Sequence, residues 1–302
     1  MSNLRALIIL ATFMVISELF KESNTFQFLA IKIKSYPMLG LVALLSGAVL
    51  MNDGAMYIVV PISLAMGSVE VTPVIAALVN LGSALTPFGN PQNVIIWNEF
   101  RVPIEVFISK MFIGLILPIA VSLYLLKGYE KANLNEVTIL RLRDALIATI
   151  LLFFSIVLIR ANMSLLALTV TVISYLVTQR AVPKLQWKVL ITLFLMMVIF
   201  DALGQFLKIE ISKSYEVFLA SVGLSQIISN VPATLVLVSK AREWYPLALG
   251  VNVGGLGTPI ASLANLIAIS LSKVELRDFL KINSILLAIS VAWGLLVIVL
   301  LH

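Results

Sequence analysis

Apolar stretches recur along almost the whole chain, at about 4–20, 73–97, 104–126, 144–159, 164–179, 188–207, 244–271 and 278–301. At 1.5 Å of rise per helical residue, about twenty such residues cross the ~30 Å hydrocarbon layer of a bilayer. Inside that layer every backbone N–H and C=O must find its partner within the protein, which leaves helices and closed barrels. Continuous apolar runs, with no two-residue alternation, select the helix. An all-α polytopic membrane protein is expected, and 61% hydrophobic against 12% charged residues fits it. The first run lacks the charged, apolar and small-residue layout of a cleaved leader, so it is read as a retained span. With 302 residues nearly all in or beside lipid, no sizeable soluble domain is expected.

Other residues exclude whole chemistries. The chain has no cysteine, so disulfides and thiolate metal sites are ruled out. Its one histidine is His302, the last residue, which removes imidazole acid–base chemistry from the membrane. The +6 net charge is read as the usual Lys/Arg enrichment of cytoplasmic loops, so no nucleic-acid partner is implied.

Two apolar regions, 37–66 and 215–240, are interrupted, by Asn52-Asp53-Gly54 and by Ser229-Asn230-Val231-Pro232. Each is either a re-entrant hairpin or a kinked spanning helix. Loop charge favours hairpins: with both re-entrant, loops 21–36, 127–143, 180–188 and 272–281 hold thirteen Lys/Arg against seven opposite. With both spanning, the same twenty divide evenly, which the positive-inside tendency disfavours. The first hairpin then opens to the cytoplasm, the second to the outside, and Met1 lies outside.

Duplication gives those interruptions meaning. Asn80 to Trp97 (NLGSALTPFGNPQNVIIW) and Asn252 to Ile269 (NVGGLGTPIASLANLIAI) share Asn80/Asn252, Gly82/Gly254, Thr86/Thr258, Pro87/Pro259, Asn93/Asn265 and Ile95/Ile267 at a constant offset of 172. The hairpins' opposite sidedness makes the repeats inverted in topology. The boundaries are 1–126 for the first repeat, 127–143 for a cytoplasmic connecting loop and 144–302 for the second repeat. FMVISELF (13–20) resembles MMVIFDAL (196–203), setting Glu18 against Asp201, so the first repeat is expected to lack two N-terminal helices.

Each Thr-Pro pair is expected to break its helix near the midplane, with threonine as N-cap of a new half-helix; Asn90-Pro91 repeats that grammar. Gly82, Gly89, Gly254, Gly255 and Gly257 are expected to let unwound backbone approach a ligand. Half-helix N-termini favour an anion, and free carbonyls with Asn, Ser and Thr oxygens favour a hard cation. Candidate substrate- or ion-binding residues are Asn52, Asp53, Gly54, Thr86, Asn90, Asn93, Ser229, Asn230, Thr258, Ser262 and Asn265. A sodium site is placed at Asn52, Asn93, Asn230 and Asn265. Asp53 either couples a proton or cation or caps the hairpin backbone. Glu18 and Asp201 are read as structural or loop-facing, Arg160 as a loop marker, and the Met and Phe stripes, including Phe153-Phe154 and Met196-Met197, as lipid-facing or packing residues.

Four segments carry a family resemblance: LMNDGAMYIVVPISLAM (50–66), GSALTPFGNPQN (82–93), SNVPAT (229–234) and TPIASLAN (258–265). They resemble the ion transporter superfamily of arsenical pump membrane proteins, sodium/proton antiporters of the NhaD type, citrate transporters and divalent-anion/sodium symporters. NDGA followed by Pro61 is most similar to the arsenical pump–anion permease branch. The symporters' Ser-Asn-Thr tips read Asn52-Asp53-Gly54 and Ser229-Asn230-Val231 here. The resemblance implies a homodimer with a scaffold and a moving, hairpin-bearing part, and it implies the listed Asn, Ser, Thr and Asp53 positions as its binding region.

The expected function is secondary active transport of an inorganic oxyanion such as arsenite, or a small carboxylate such as citrate. It would cross the cytoplasmic membrane on a proton or sodium gradient, with no cofactor beyond Na⁺ or H⁺. The partners expected are the lipid bilayer, the anion, a second copy, and a further protein supplying the absent helices or an ATPase. A sodium/proton antiporter is the alternative, ahead of a channel or an intramembrane aspartyl protease. No phosphate-binding loop is present, so the chain is not expected to hydrolyse ATP.

Overall fold

The computed structural model describes residues 2–87, 89–130, 139–179 and 213–301, with scattered positions between 181 and 199. Their regular structure is helical, with fourteen α-helices and two short 3₁₀ turns among the described residues. Among the described residues three helices are long and apolar enough to cross a membrane: α7 with the turn after it (Ile104–Gly128), α8 (Leu142–Arg160) over Leu142–Ile159, and α14 (Leu276–Leu301) over Leu276–Leu300. Apolar side chains such as Ile150, Phe153, Phe154 and Val157 stand exposed on α8. An apolar face of this kind suits lipid as its solvent. Arg160 is the last residue of α8.

The interrupted regions form two helix pairs of matching design. In the first, α3 (Tyr36–Leu50) and α4 (Asn52–Ala65) are joined by Met51 alone, at φ 71° and ψ 142°. In the second, α10 (Ser214–Ile228) and α11 (Asn230–Leu237) are joined by Ser229 alone, at φ 73° and ψ 157°. Positive φ is uncommon outside glycine, so one conformation at both joints marks a shared turn. The arms of each pair pack against each other. Their 15, 14, 15 and 8 residues reach only about 22, 21, 22 and 12 Å, so no arm alone covers the hydrocarbon layer.

The duplicated segments are two broken helices. The first runs as α5 (Thr72–Ala84), an unwound stretch, and α6 (Pro91–Phe100). The second runs as α12 (Trp244–Val253), a 3₁₀ turn at Pro259–Ala261, and α13 (Leu263–Ser272). Within each half the first hairpin arm lies on the first half-helix, α3 on α5 and α10 on α12. Between halves the second arm lies on the opposite half's second half-helix, α4 on α13 and α11 on α6. Gly82 permits the α3–α5 approach, because a Cβ there would collide with the Leu44 carbonyl.

Two expectations change. Loop 21–36 contains an eight-residue helix, α2 (Thr25–Lys32). Phe26 and Ala30, one turn apart, are buried, and the helix packs on α4, so burial of that face overrides its short length. The glycines expected to approach a ligand mostly serve packing instead: Cβ atoms at Gly89 and Gly254 would run into Ser83 and Ser225. Arg180, Lys184, Asp201, the Met196-Met197 side chains, most of span 188–207 and loop residues 131–138 lie outside the described residues.

Candidate functional site

The two breaks meet in a lattice of buried asparagines. Asn80 on α5 donates from Nδ2 to Oδ1 of Asn265 on α13, at 2.8 Å. Asn252 on α12 donates from Nδ2 to Oδ1 of Asn93 on α6, at 2.6 Å. The two bonds are related by the offset of 172 with roles exchanged, each half giving to the other what it receives. Such reciprocity is the signature of a local two-fold.

Further bonds repeat the relation. Asn90 Nδ2 donates to Asn252 Oδ1 at 2.8 Å, and Ser262 Oγ, 172 residues on, donates to Asn80 Oδ1 at 3.0 Å. Asn93 Nδ2 reaches the carbonyls of Thr86 at 2.9 Å and Ser83 at 3.4 Å. Asn265 Nδ2 reaches those of Thr258 at 3.0 Å and Gly255 at 2.9 Å. Unwinding a helix in a dry interior leaves carbonyls without partners, and these two amides supply them. Asn90, Asn93, Ser262 and Asn265 are all fully buried.

Each hairpin is tied to the break beside it. Thr86 Oγ1 donates to the Ala48 carbonyl at 2.9 Å, and Thr258 Oγ1 to the Gln226 carbonyl at 3.3 Å. Both acceptors stand three residues before their joint. Asn52 N–H donates to the Gly89 carbonyl at 3.2 Å, and Ser229 Oγ to the Ala261 carbonyl, in the equivalent place, at 3.4 Å. Asn52 also donates from Nδ2 to Asn80 Oδ1 at 3.1 Å, and Asn230 Nδ2 stands close to Gly255. The N-termini of α4, α6, α11 and α13 are thereby gathered around one cluster of amides and hydroxyls.

Among the sequence candidates, Asn52, Thr86, Asn90, Asn93, Ser229, Asn230, Thr258, Ser262 and Asn265 all belong to this cluster or its ties. Thr86 and Thr258 do not cap the second half-helices as expected. Asn90 caps α6, its Oδ1 accepting from Asn93 N–H at 2.9 Å. Ser262 precedes α13 in the equivalent position, and Thr258 precedes only the 3₁₀ turn, because the threonine hydroxyls are drawn to the hairpin carbonyls instead. Gly54 faces away, where a Cβ would strike the Phe13 ring of α1 (Ser2–Glu22). Asp53 holds an Oδ1 that is buried with no hydrogen-bond partner.

Besides Ser83 and Gln92 at its margin, three contributors are absent from the candidate list. Asn80 and Asn252 are the hubs of the lattice: Asn80 Oδ1 accepts from both Asn52 and Ser262, and Asn252 Oδ1 accepts from Asn90 and, at 3.5 Å, from Gln92. Their identity across the repeat was the available signal. Gln226 is the third, donating from Nε2 to the Gly254 and Leu256 carbonyls at 2.6 and 2.9 Å and accepting from Thr258 N–H at 3.0 Å. An amide three residues before a joint, in an apolar arm, was its signal. With both acceptor lone pairs of Asn80 and Asn252 filled, a cation would find free amide lone pairs on Asn52, Asn93, Asn230 and Asn265, where one bond to each oxygen is seen.

Comparison with known proteins places this architecture. The citrate transporter family model matches residues 2–244, and the chain belongs to that family. It is 29% identical over 298 residues to an uncharacterized transporter, MJ0456, of Methanocaldococcus jannaschii, covering 90% of this chain and 83% of that one. It is 30% identical over 257 residues to the inner membrane protein YbiR of Escherichia coli K12, covering 77% and 68%. A multi-pass helical membrane transporter is the class these features define.

Proposed function

We propose that this chain is a secondary active transporter that carries a small carboxylate such as citrate, or an inorganic oxyanion, across the cytoplasmic membrane. The single observation that carries the reading is the reciprocal bonding of two broken helices beside two hairpin joints. Four half-helix N-termini then face one polar cluster, and N-terminal N–H groups with their partial positive charge favour an anion. The citrate transporter family supports the anion class, and the inner-membrane relative supports the location. The hairpins and broken helices move as one body, because the lattice crosslinks them, and expose the cluster to one side at a time. Asn93 and Asn265 offer oxygens to a coupling sodium, and Asp53 offers a carboxylate to a coupling proton. Its unpartnered oxygen also favours a second reading, sodium/proton exchange with no anion.

Counterflow of labelled citrate, arsenite and phosphate in proteoliposomes separates the readings. Saturable counterflow of one anion supports anion transport. Sodium-linked proton movement with no anion counterflow establishes the exchanger. Unsaturable single-channel current would overturn both.

A further inference from the structure

We propose that the crevice between α1 and α4 is a one-sided proton route to Asp53, entered at Glu18 and relayed by the Tyr57 hydroxyl. The inference rests on the coupled-transport reading above and names the proton as its coupling ion. The crevice has a volume of about 330 Å³, with Glu18 and Lys21 on its α1 wall and Tyr57, Pro61 and Leu64 on its α4 wall. Residues 57, 61, 64 and 65 of α4 all line it, and they fall on a single helix face. The next position of that face toward the hairpin joint is Asp53. The crevice therefore runs along α4 from its C-terminal end and stops one turn short of that carboxylate.

Burial deepens from the mouth as far as Tyr57, and Asp53 beyond it is half-buried. The side chains of Lys21 and Glu18 are 61% and 17% exposed, and Tyr57 is 2% exposed. Three polar atoms on this line are buried without a hydrogen-bond partner: Glu18 Oε2, the Tyr57 hydroxyl and Asp53 Oδ1. One such atom is costly to keep, and three in succession along a crevice roomy enough for water mark a path for protons. Two contacts hold the line in place. Lys21 Nζ pairs with Glu18 Oε1 at 3.6 Å, and Ser17 Oγ donates to the Tyr57 carbonyl at 2.6 Å, fixing α1 against α4.

In the transfer, the Glu18 carboxylate takes up a proton from water at the Lys21 end and passes it through water to the Tyr57 oxygen as the hydroxyl hydrogen moves on to the Asp53 carboxylate, which leaves Glu18 and Tyr57 in their starting forms. The other ionisable groups on elements packed against α4 are Arg5 and Glu22 of α1, Lys32 of α2 and Tyr36 of α3, while α5 and α13 bring none. Asp53 and Tyr57 have no ionisable counterparts in the second half. At the hairpin offset of 178, set by Met51 and Ser229, Asp53 and Tyr57 correspond to Val231 and Leu235.

The test follows the carboxyl infrared band of the full chain in lipid nanodiscs, assigned by its loss in Asp53→Asn, after a jump in pH. Tyr57→Phe and Glu18→Gln are each expected to slow the band's response by about tenfold or more, with Glu22→Gln unchanged. Wild-type rates in both variants, or no Asp53 band in the wild type, would overturn the route. Counterflow of labelled citrate in the same proteins reads the anion site separately, since exchange needs no net proton movement. Slowed bands with counterflow retained support both readings. Slowed bands with no wild-type counterflow of citrate, arsenite or phosphate would remove the anion and leave the route.

Discussion

At the first hairpin joint Met51 hands the chain to Asn52 and Asp53; at the second, Ser229 hands it to Asn230 and Val231 with the same positive φ. The backbone turn, the threonine tie and the amide that patches each break recur in both halves. What differs is the chemistry set upon them. The first half carries a buried carboxylate oxygen without a partner, and the second carries Gln226, whose amide closes three backbone groups where the first half has Ala48. Duplication thus preserved the bonds that hold two breaks together and left the tips free to diverge. A symmetric frame with an asymmetric charge suits a carrier whose cargo and coupling ion need different surroundings.

The largest effect should come from the hubs. Asn252→Ala strands the Asn93 oxygen and one N–H of the Asn90 amide in a dry interior, and Asn80→Ala strands the Asn265 oxygen with the Asn52 and Ser262 donors. Each should cost about 2–6 kcal/mol, at roughly 1–3 kcal/mol per orphaned group. Thermal unfolding in detergent should show equal losses in the two variants. A loss confined to one would break the two-fold reading.

Gly82→Ala should follow at about 1–3 kcal/mol, since the new methyl meets the rigid Leu44 carbonyl. The equivalent Gly254→Ala meets Ser225 Cβ at 2.7 Å and the Gly250 carbonyl at 2.9 Å, where the methyl at Gly82 lies closer still to the Leu44 carbonyl, so its loss should be smaller in the same assay. Gln226→Ala should speed amide hydrogen exchange at 254–258 while leaving Leu85 and Thr86 unchanged, because only the second break depends on it. Equal acceleration in both breaks would deny that difference.

Thr86→Val and Thr258→Val each remove one hairpin tie, worth about 1 kcal/mol. The 2.9 Å bond of Thr86 should matter more than the 3.3 Å bond of Thr258 in chemical unfolding. Smallest in magnitude and opposite in sign, Asp53→Asn should leave stability unchanged or slightly raised, because it removes a carboxylate whose Oδ1 is buried without a partner. A loss above about 1 kcal/mol would mean that Asp53 serves the fold.

Much of the site was legible because polar and helix-breaking residues are expensive in lipid and rare in apolar helices. Asn93 and Asn265 declared themselves by position alone. Their roles did not: each proved to be a patch on unwound carbonyls as well as a candidate ligand, since an amide has both faces and periodicity does not say which is used. Thr86 and Thr258 were misplaced as caps for a similar reason. Thr-Pro fits the start of a helix, but the hairpin carbonyl competing for the hydroxyl lies 38 residues upstream in one half and 32 in the other. Helix α2 was hidden because eight residues make no stable helix until another surface buries one face.

The sequence by itself determined that the chain is helical and membrane-bound, where it breaks, and that it breaks twice in the same way. Those outcomes follow from local costs, namely unpaired backbone in hydrocarbon and a ring that cannot sit inside a helix. Only the tertiary structure decided that Asn80 answers Asn265 while Asn252 answers Asn93, and that Glu18 and Tyr57 line one crevice leading toward Asp53. Pairings between residues 185 and 159 positions apart depend on how whole helices pack, and that is set by the burial of all their faces at once.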